Sequence, residues 1–272
     1  NGVFAGDRFR LQPEWQAAAG FTIDAPLGGG MRATPDQLLT LTPAEGRPVA
    51  PPQSAAQAKA LPVTEQTPLE NPFWQYSRDK IACERFAMRA YREEGFPVTI
   101  VRPSHTYDRT KLPIRGGYTV VDRMRRGEPV VIHGDGTSIW SLTHHSDFAR
   151  GFVPLLGEGR AVGEAYHITS DDLLTWNRIF QWVADAAGAD LLPVHVPSEW
   201  IARFDPDWGG SLLGDKAHSM IFDNSKIKRL VPDFAAAIPF AQGAREIVAW
   251  YDADPARQVI NTELDHLMDR II

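Results

Sequence analysis

The segment spanning residues 75–103 constrains the fold most, because a helical pattern leads directly into a strand pattern. Apolar residues recur at helical spacing in its first part, at Ile81, Ala82, Phe86, Ala90 and Tyr91. Gly95 then provides a helix stop, and residues 96–101 are rich in β-branched side chains, which indicates a short buried strand. A helix joined to a buried strand by a tight loop favours a parallel sheet. We therefore predict an α/β fold.

Residues 102–107 directly follow this predicted strand, and they include Ser104 and His105. In open parallel sheets, ligands bind outside the carboxyl ends of the strands. The segment is therefore a candidate ligand-binding loop, although an ordinary solvent-exposed loop would have a similar polar composition.

A phenol and an ammonium group stand four residues apart at the start of the predicted helix, in Tyr76 and Lys80. Residues at positions i and i+4 share one face of a helix. A neighbouring positive charge favours the phenolate and so lowers the tyrosine pKa from its ordinary value near ~10. Such a tyrosine can exchange a proton with a sugar or alcohol hydroxyl. The alternative is a surface helix in which the two side chains are neighbours by chance.

Further motifs follow in a fixed order along the chain. Each resembles a segment of one known family: residues 131–136 (VIHGDG) its glycine turn before a late strand, residues 142–149 (LTHHSDFA) a segment in which an Asp, here Asp147, caps the next helix, and residues 222–227 (FDNSKI) a C-terminal helix start. Together with Tyr76, Lys80 and the Arg102-Pro103 step, this order resembles the extended short-chain dehydrogenase/reductase superfamily. More narrowly, it resembles the NAD-dependent epimerase/dehydratase family, over about residues 61–250.

The resemblance implies a Rossmann-like doubly wound parallel sheet with a smaller C-terminal α/β lobe for the substrate. It implies that Tyr76 is the general acid/base and that Lys80 lowers its pKa and bonds the nicotinamide ribose. It also implies that Pro103, Ser104 and His105 line the nicotinamide pocket. The implied cofactor is NAD, with NADP not excluded. The implied reaction is an NAD(P)-dependent epimerisation or dehydration that acts on a hydroxyl or carbonyl of a sugar or sugar nucleotide.

The first 60 residues depart from the family pattern. The expected hydrophobic strand and glycine-rich turn are not recognisable, and the glycine triplet at residues 28–30 has the wrong spacing. Residues 32–62 are rich in Ala and Pro, which favours a loop or linker. Ser54 stands at about the position where the family has a third catalytic residue, but the two prolines before it disfavour a central strand and favour an ordinary loop serine. We expect residues 1–60 to be an atypical or incomplete N-terminal segment, 61–160 a Rossmann-like core, and 161–272 the substrate lobe.

The substrate lobe is predicted to contain strands at residues 166–170 and 194–197. A helix is predicted to begin at residues 175–177, Ser198 is predicted to cap a second helix, and residues 208–214 are predicted to form a loop. Three aromatic side chains are candidates for the lining of the substrate pocket, although core packing is an alternative role: His105, Trp140 and Trp208.

Composition excludes several classes of function. The formal net charge of −6 disfavours a nucleic-acid partner, and Arg123, Arg125 and Arg126 form only a short basic patch, which is either a phosphate contact or a solvated helix end. No apolar run approaches the roughly 18 residues of a membrane span. The single cysteine, Cys83, is typical of a cytoplasmic protein. The adjacent His144 and His145 lack further ligands, so no metal site is predicted.

Three functional hypotheses therefore remain from the sequence. The first is an NAD-dependent epimerase/dehydratase that takes a sugar or sugar-nucleotide substrate and forms a possible homodimer. The second is a non-catalytic relative with a binding role, because the glycine-rich turn is not recognisable. The third is an NADPH-dependent carbonyl reductase.

Overall fold

The computed structural model of the protein describes residues 61–272. The predictions for Ser54, for the glycine triplet at residues 28–30 and for the rest of segment 1–60 lie outside these residues. Nine α-helices occur in the described part: α1 (Gln75–Glu94), α2 (Tyr118–Arg125), α3 (His145–Phe152), α4 (Trp176–Ala187), α5 (Ser198–Phe204), α6 (Pro206–Ser211), α7 (Ser225–Leu230), α8 (Phe240–Asp252) and α9 (Thr262–Ile271).

The strands of this part form short parallel ladders. They are β1 (Ile100–Pro103), β2 (His105–Tyr107), β3 (Val130–His133), β4 (Ile139–Trp140), β5 (Leu142–His144), β6 (Ala165–Ile168), β7 (Leu174–Thr175) and β8 (Pro193–Val196). β1 pairs with β6, β2 with β5 and β3 with β8, all in parallel, whereas β4 and β7 pair in antiparallel orientation. Parallel strands alternating with helices are the Rossmann-like architecture that the sequence predicts.

Helix α1 has the predicted position and the predicted end. Gly95 adopts a left-handed conformation with φ of 71°, and the N–H groups of Gly95 and Phe96 bond to the carbonyls of Tyr91 and Ala90. Glycine favours this conformation because it has no Cβ. At the other end, the Asn71 side-chain oxygen accepts hydrogen bonds from two backbone N–H groups that precede the helix.

Strand β1 is shorter at its beginning than predicted. Residues 96–99 make contacts outside a strand ladder, since the Val98 carbonyl accepts the Gly163 N–H at 2.7 Å and the Thr99 hydroxyl donates to the Ala161 carbonyl at 2.9 Å. Pro97 has no N–H to donate, so the regular ladder begins only after it. The predicted loop at residues 102–107 is wrong, because β1 extends to Pro103 and His105–Tyr107 form β2, with Ser104 between the two strands.

Two predicted helix caps are wrong, whereas the predicted helix start at residues 175–177 is confirmed. Helix α4 begins at Trp176, and Thr175 caps it because its hydroxyl accepts the Arg178 N–H at 3.2 Å. Ser198 is the first residue of α5 and not its cap, and its buried hydroxyl has no hydrogen-bond partner among residues 61–272. Asp147 lies inside α3, where its buried carboxylate accepts the N–H of Ile238 at 2.8 Å. That contact fastens α3 to a distant loop, so the acidic residue serves tertiary packing instead of capping.

The predicted loop at residues 208–214 is also wrong, because this segment is helical. Asp205 caps α6 by accepting the Trp208 N–H at 2.9 Å, and Pro206 takes the first helical position, which suits its fixed φ. The helix continues into one π-helical turn, Leu212–Lys216. π-Helical turns are rare and are frequent at functional sites.

The arginine patch is a set of ion pairs and not a free phosphate-binding surface. The Arg123 side chain is only 1% exposed. Its guanidinium contacts the carboxylates of Asp265 and Asp269 at 2.6 Å each. Arg125 pairs with Asp252 at 2.7 Å. The patch therefore joins α2 to α8 and α9, and these ion pairs argue against a phosphate contact. Arg123 is buried, whereas Arg125 and Arg126 are exposed at the end of α2, as a solvated helix end would be.

Among residues 61–272, no helix combines the length and the apolar composition that a bilayer-spanning helix needs.

Candidate active site

The Tyr76–Lys80 pair lies on one face of α1, as the spacing predicts. The Lys80 ammonium is 5.4 Å from the centre of the Tyr76 ring. The Tyr76 side chain is 47% exposed, so a ligand can reach its hydroxyl. The two groups thus have the proximity that proton transfer assisted by a cation requires.

The pKa of the Tyr76 phenol is shifted in the opposite direction to the one expected from Lys80. Partial burial, followed by the negative charge of Asp215, raises this pKa above its ordinary value of 10.0. A nearby carboxylate disfavours the phenolate by repulsion. Tyr76 is therefore held in its protonated form, which can donate a proton.

An ion pair fastens α1 to β1. The Arg102 guanidinium contacts the Glu84 carboxylate through two hydrogen bonds, and its Nε–Oε2 distance is 3.0 Å. Both side chains are largely buried, so the pair fixes the helix that carries Tyr76 to the strand that leads to the ligand edge. Sequence spacing gave no sign of this contact.

The residues after β1 are held by a network of hydroxyl groups. The Ser104 and Thr143 hydroxyls lie 2.7 Å apart, and the Thr143 oxygen also accepts the Ser170 N–H at 2.8 Å. Pro103 is buried at the end of β1. Ser104 therefore has a structural partner already, while its position at the carboxyl end of a parallel strand is the predicted one.

His105 and Trp208 line a cavity of about 240 Å³. The third candidate, Trp140, does not, because it is buried in the core at 3% exposure and its ring stacks against Trp176. The cavity walls combine apolar and basic side chains: His105, Lys111, Leu112, Pro113, Ile114, Arg115, Val120, Val131, His133, Trp176, Phe180, Trp208, Ser211, Leu212, Lys216 and Met268.

The histidines of the cavity are uncharged near neutral pH. Burial, followed by the charges of Lys216 and Lys111, lowers the pKa of His105 from 6.5 to about 3. The His105 side chain is half-buried and lines the cavity. Burial also lowers the pKa of His133 to about 4, although the hydrogen bond to the Lys216 carbonyl acts in the opposite direction. The cavity's fixed charge is therefore carried by its lysines and arginine.

His133 should make stability depend on pH in a defined interval. Its pKa is lower in the folded state, so the unfolded chain binds the extra proton as pH falls from about 6.5 towards 4. The free energy of unfolding should fall over that interval by up to about 1.4 kcal/mol per pH unit for this one group. Above the unfolded pKa, His133 should contribute no pH dependence.

Urea titrations between pH 7 and pH 4 measure this pH dependence of the free energy of unfolding, for the wild type and for His133→Gln. The variant should show a shallower loss of stability on acidification. His266→Gln removes an exposed histidine and is the matched control. Equal slopes for His133→Gln and the wild type would contradict the prediction.

The π-helical turn docks on the residues that open α1. The Asn71 amide donates to the Gly214 carbonyl at 2.6 Å, and a Cβ on Gly214 would lie 2.7 Å from the Cβ of Trp74. The Lys216 ammonium is 5.0 Å from the centre of the Trp74 ring, and that ring packs against the Tyr76 ring at a centroid distance of 4.8 Å and a tilt of 36°. The turn thus connects the cavity with the face that carries Tyr76.

Asp108 and His144 make polar contacts near the carboxyl ends of β2 and β5. The Asp108 carboxylate accepts the Thr110 N–H at 2.7 Å and forms a tight turn after β2. His144 bonds to the Glu246 carboxylate at 3.1 Å. No group of three or more metal-ligating side chains is assembled within the described residues.

The family assignment follows from comparison with known proteins. Residues 52–169 match the family model described as NAD dependent epimerase/dehydratase family. The chain is therefore similar to that family over this segment. The match includes the Tyr76–Lys80 pair, β1, Ser104 and the strand β2 that begins at His105, so the resemblance seen in the sequence is confirmed.

Similar proteins of known activity are reductases and dehydratases. The 2'-dehydrokanamycin reductase of Streptomyces kanamyceticus is 29% identical over 66% of this chain and 52% of its own length. The dTDP-glucose 4,6-dehydratase of Shigella flexneri is 26% identical over 75% of this chain and 54% of its own length. The chain therefore spans about half the length of the curated relatives it matches.

Solved structures show the same fold. A dTDP-glucose 4,6-dehydratase from Streptomyces venezuelae, with NAD bound, superposes with a TM-score of 0.58 at 26% identity, over 72% of this chain and 56% of that one. A UDP-glucuronic acid 4-epimerase from Bacillus cereus gives the same TM-score at 20% identity, over 72% and 57%. The Rossmann-like fold is thereby confirmed.

Proposed function

We propose that the protein is an NAD(P)-dependent oxidoreductase of the epimerase/dehydratase type that acts on a hydroxyl or carbonyl group of a sugar or sugar nucleotide. The observation that carries the proposal is the proximity of Tyr76 and Lys80 on an exposed face of α1. The Glu84–Arg102 ion pair fastens this helix to the strand whose carboxyl end is the ligand edge. The related dehydratases and reductase support the same class of chemistry.

The described residues fit the nicotinamide half of such a cofactor. The Tyr76 side chain is half exposed and the Lys80 ammonium lies over its ring, so Lys80 would bond the ribose. Pro103, Ser104 and His105 follow β1 and would line the nicotinamide ring. When bound, the nicotinamide accepts or supplies a hydride.

The chain's own residues then handle the proton. Tyr76 takes the proton of a substrate hydroxyl or returns it to a carbonyl oxygen. Lys80 would favour the phenolate through its positive charge, whereas burial and then Asp215 raise the pKa of Tyr76. The cytoplasmic location and the homodimer expected from the sequence remain part of this proposal.

A second candidate function is reduction of a carbonyl compound with NADPH. Its supporting observation is the raised pKa of Tyr76, because a protonated phenol is the form that donates a proton to a carbonyl oxygen. The resemblance to a reductase supports the same direction of reaction.

The test is a titration of the whole protein with NAD⁺, NADH, NADP⁺ and NADPH, in which tryptophan fluorescence reports binding. We expect saturable binding of at least one dinucleotide, and hydride transfer that is visible as a change in nicotinamide absorbance when a sugar nucleotide or its keto form is added. Binding of NADPH with reduction only would favour the second candidate. Binding without turnover of either substrate form would indicate the non-catalytic relative, and no binding of any dinucleotide would contradict the proposal.

A further inference from the structure

We propose that Asp215, on the π-helical turn, is a positioning residue for the proton transfer: its carboxylate favours the Tyr76 hydroxyl over the phenolate and so sets the pH range in which the enzyme reduces a carbonyl group. The inference rests on the proposed function, because it assigns a further residue to the same site. Asp215 is not part of the Tyr76–Lys80 motif and comes from a distant part of the chain.

The docking of the π-helical turn at the start of α1 is the first observation. On one side of Asp215, the Gly214 carbonyl accepts a hydrogen bond from the Asn71 amide at 2.6 Å. On its other side, the Lys216 ammonium lies 5.0 Å from the centre of the Trp74 ring. Trp74 is the residue directly before α1. Both chain neighbours of Asp215 therefore contact the segment that leads into this helix.

The charge of Asp215 is the second observation. The Trp74 and Tyr76 rings pack at 4.8 Å between their centres, which brings the phenol close to the docked turn. Burial, followed by the Asp215 charge, raises the pKa of Tyr76. The Asp215 side chain is 24% exposed, so solvent screens its charge only in part. A negative charge beside a phenol disfavours the phenolate by repulsion.

Charged side chains near Tyr76 come from α1 and from the π-helical turn. On α1, the Lys80 ammonium lies 5.4 Å from the centre of the Tyr76 ring, and the Asp79 carboxylate accepts a hydrogen bond from a side chain one turn earlier. On the π-helical turn, the Lys216 ammonium lies 3.5 Å from the Asp215 carboxylate. Lys80 would stabilise the phenolate and Asp215 opposes it, so the protonation of Tyr76 depends on how the turn is docked.

The proton of Tyr76 takes part in both directions of the proposed reaction. In reduction, the reduced nicotinamide supplies a hydride to the carbonyl carbon, the C=O double bond becomes a C–O single bond, and the oxygen takes the Tyr76 proton. The phenolate left behind regains a proton from solvent. In oxidation, the phenolate takes the proton of the substrate hydroxyl while the hydride passes to the oxidised nicotinamide.

Asp215 therefore acts on the fraction of enzyme that is ready for each direction. It does not change the equilibrium between keto and hydroxyl forms of the substrate, because it is part of the catalyst. Reduction requires the protonated phenol, and oxidation requires the phenolate. The rate of reduction should consequently persist to higher pH with Asp215 than without it.

The experiment is nuclear magnetic resonance on the whole protein, with ¹³C at the Cζ of its tyrosines and without dinucleotide or substrate. The Cζ chemical shift changes when a phenol ionises, and the Tyr76→Phe variant assigns the Tyr76 signal by its absence. Spectra are recorded from pH 7 up to the highest pH at which circular dichroism shows the native fold. In Asp215→Asn, the Tyr76 signal should begin to shift at lower pH than in the wild type.

Further variants separate the charge of Asp215 from its size. Asp215→Lys should move the ionisation of Tyr76 to still lower pH, whereas Asp215→Glu should match the wild type because the charge is kept. A purely structural role would make the Glu and Asn variants alike. Asp190→Asn is the matched control, since it removes an exposed carboxylate after α4. A thermal melt checks that each variant is folded.

The proposal is wrong if the Tyr76 signal has the same pH dependence in the wild type, Asp215→Asn and Asp215→Lys over the whole range. It is also wrong if Asp215→Glu or Asp190→Asn shifts the signal as much as Asp215→Asn does. These spectra contain no dinucleotide. An unchanged ionisation would leave the proposed oxidoreductase function standing, and a failure to bind dinucleotides would not alter the ionisation measured here.

Discussion

The Tyr76→Phe variant should fold normally and lose turnover by a factor of about 10²–10⁴, which is the usual contribution of a positioned acid or base. The substitution removes the hydroxyl that exchanges the proton and keeps the ring that packs against Trp74. Because the Tyr76 side chain is 47% exposed, its hydroxyl makes little contribution to the core. Stability should therefore change by less than about 0.5 kcal/mol.

The measurement is the steady-state rate with the substrate that the cofactor assay identifies, together with a dinucleotide titration. Tyr91→Phe is the matched control, because it removes a second phenol from α1 far from Lys80 along the helix. The variant Tyr76→Phe should still bind the dinucleotide while Tyr91→Phe keeps full turnover. Turnover of Tyr76→Phe within twofold of the wild type would remove Tyr76 from the proton-transfer role.

The second large effect is on stability and concerns Arg123. Replacing it with Met should lower the free energy of unfolding by about 3 kcal/mol, because removal of one partner of a buried ion pair leaves the other charge uncompensated. Arg123 is 1% exposed and contacts Asp265, Asp269 and the Pro129 carbonyl. Part of this cost is reduced because Asp269 can still reach solvent.

Urea titration at pH 7 measures the change, with Arg125→Met as the control. Arg125 makes an equally short contact, to Asp252, but it is an exposed ion pair. Exposed pairs contribute about 0–1 kcal/mol, so the control should be close to the wild type. Equal losses in the free energy of unfolding for both variants would show that burial does not determine the contribution of the Arg123 contacts.

The parts of the fold that depend on nearby residues were predictable from the sequence. The apolar spacing after Tyr76 and the glycine at position 95 gave α1 and its end, and position i+4 placed Lys80 beside Tyr76. The β-branched run gave β1, with an error at its beginning where Pro97 interrupts the ladder. These features follow from local periodicity and conformational preference, so one segment is sufficient to predict them.

The parts of the site that depend on contacts between distant segments were not predictable. Gly214 contacts Asn71 and Trp74 only in the folded chain. Lys216 likewise reaches the Trp74 ring and the cavity only through folding. Trp140 was wrongly placed in the pocket because an indole suits a core and a binding site equally. The helical character of residues 206–211 did have a local signal, since an aspartate followed by proline is a common helix start.

The parallel ladders have a consequence for the order of folding events. Ile100 pairs with Ala165, His105 with Leu142 and Val130 with Pro193, so every parallel pairing joins segments dozens of residues apart. Such pairings require costly loop closure and form slowly compared with local helices. Helix α1 can therefore begin to form early, whereas the ligand edge after β1 is complete only when the late segments of the chain have joined the sheet.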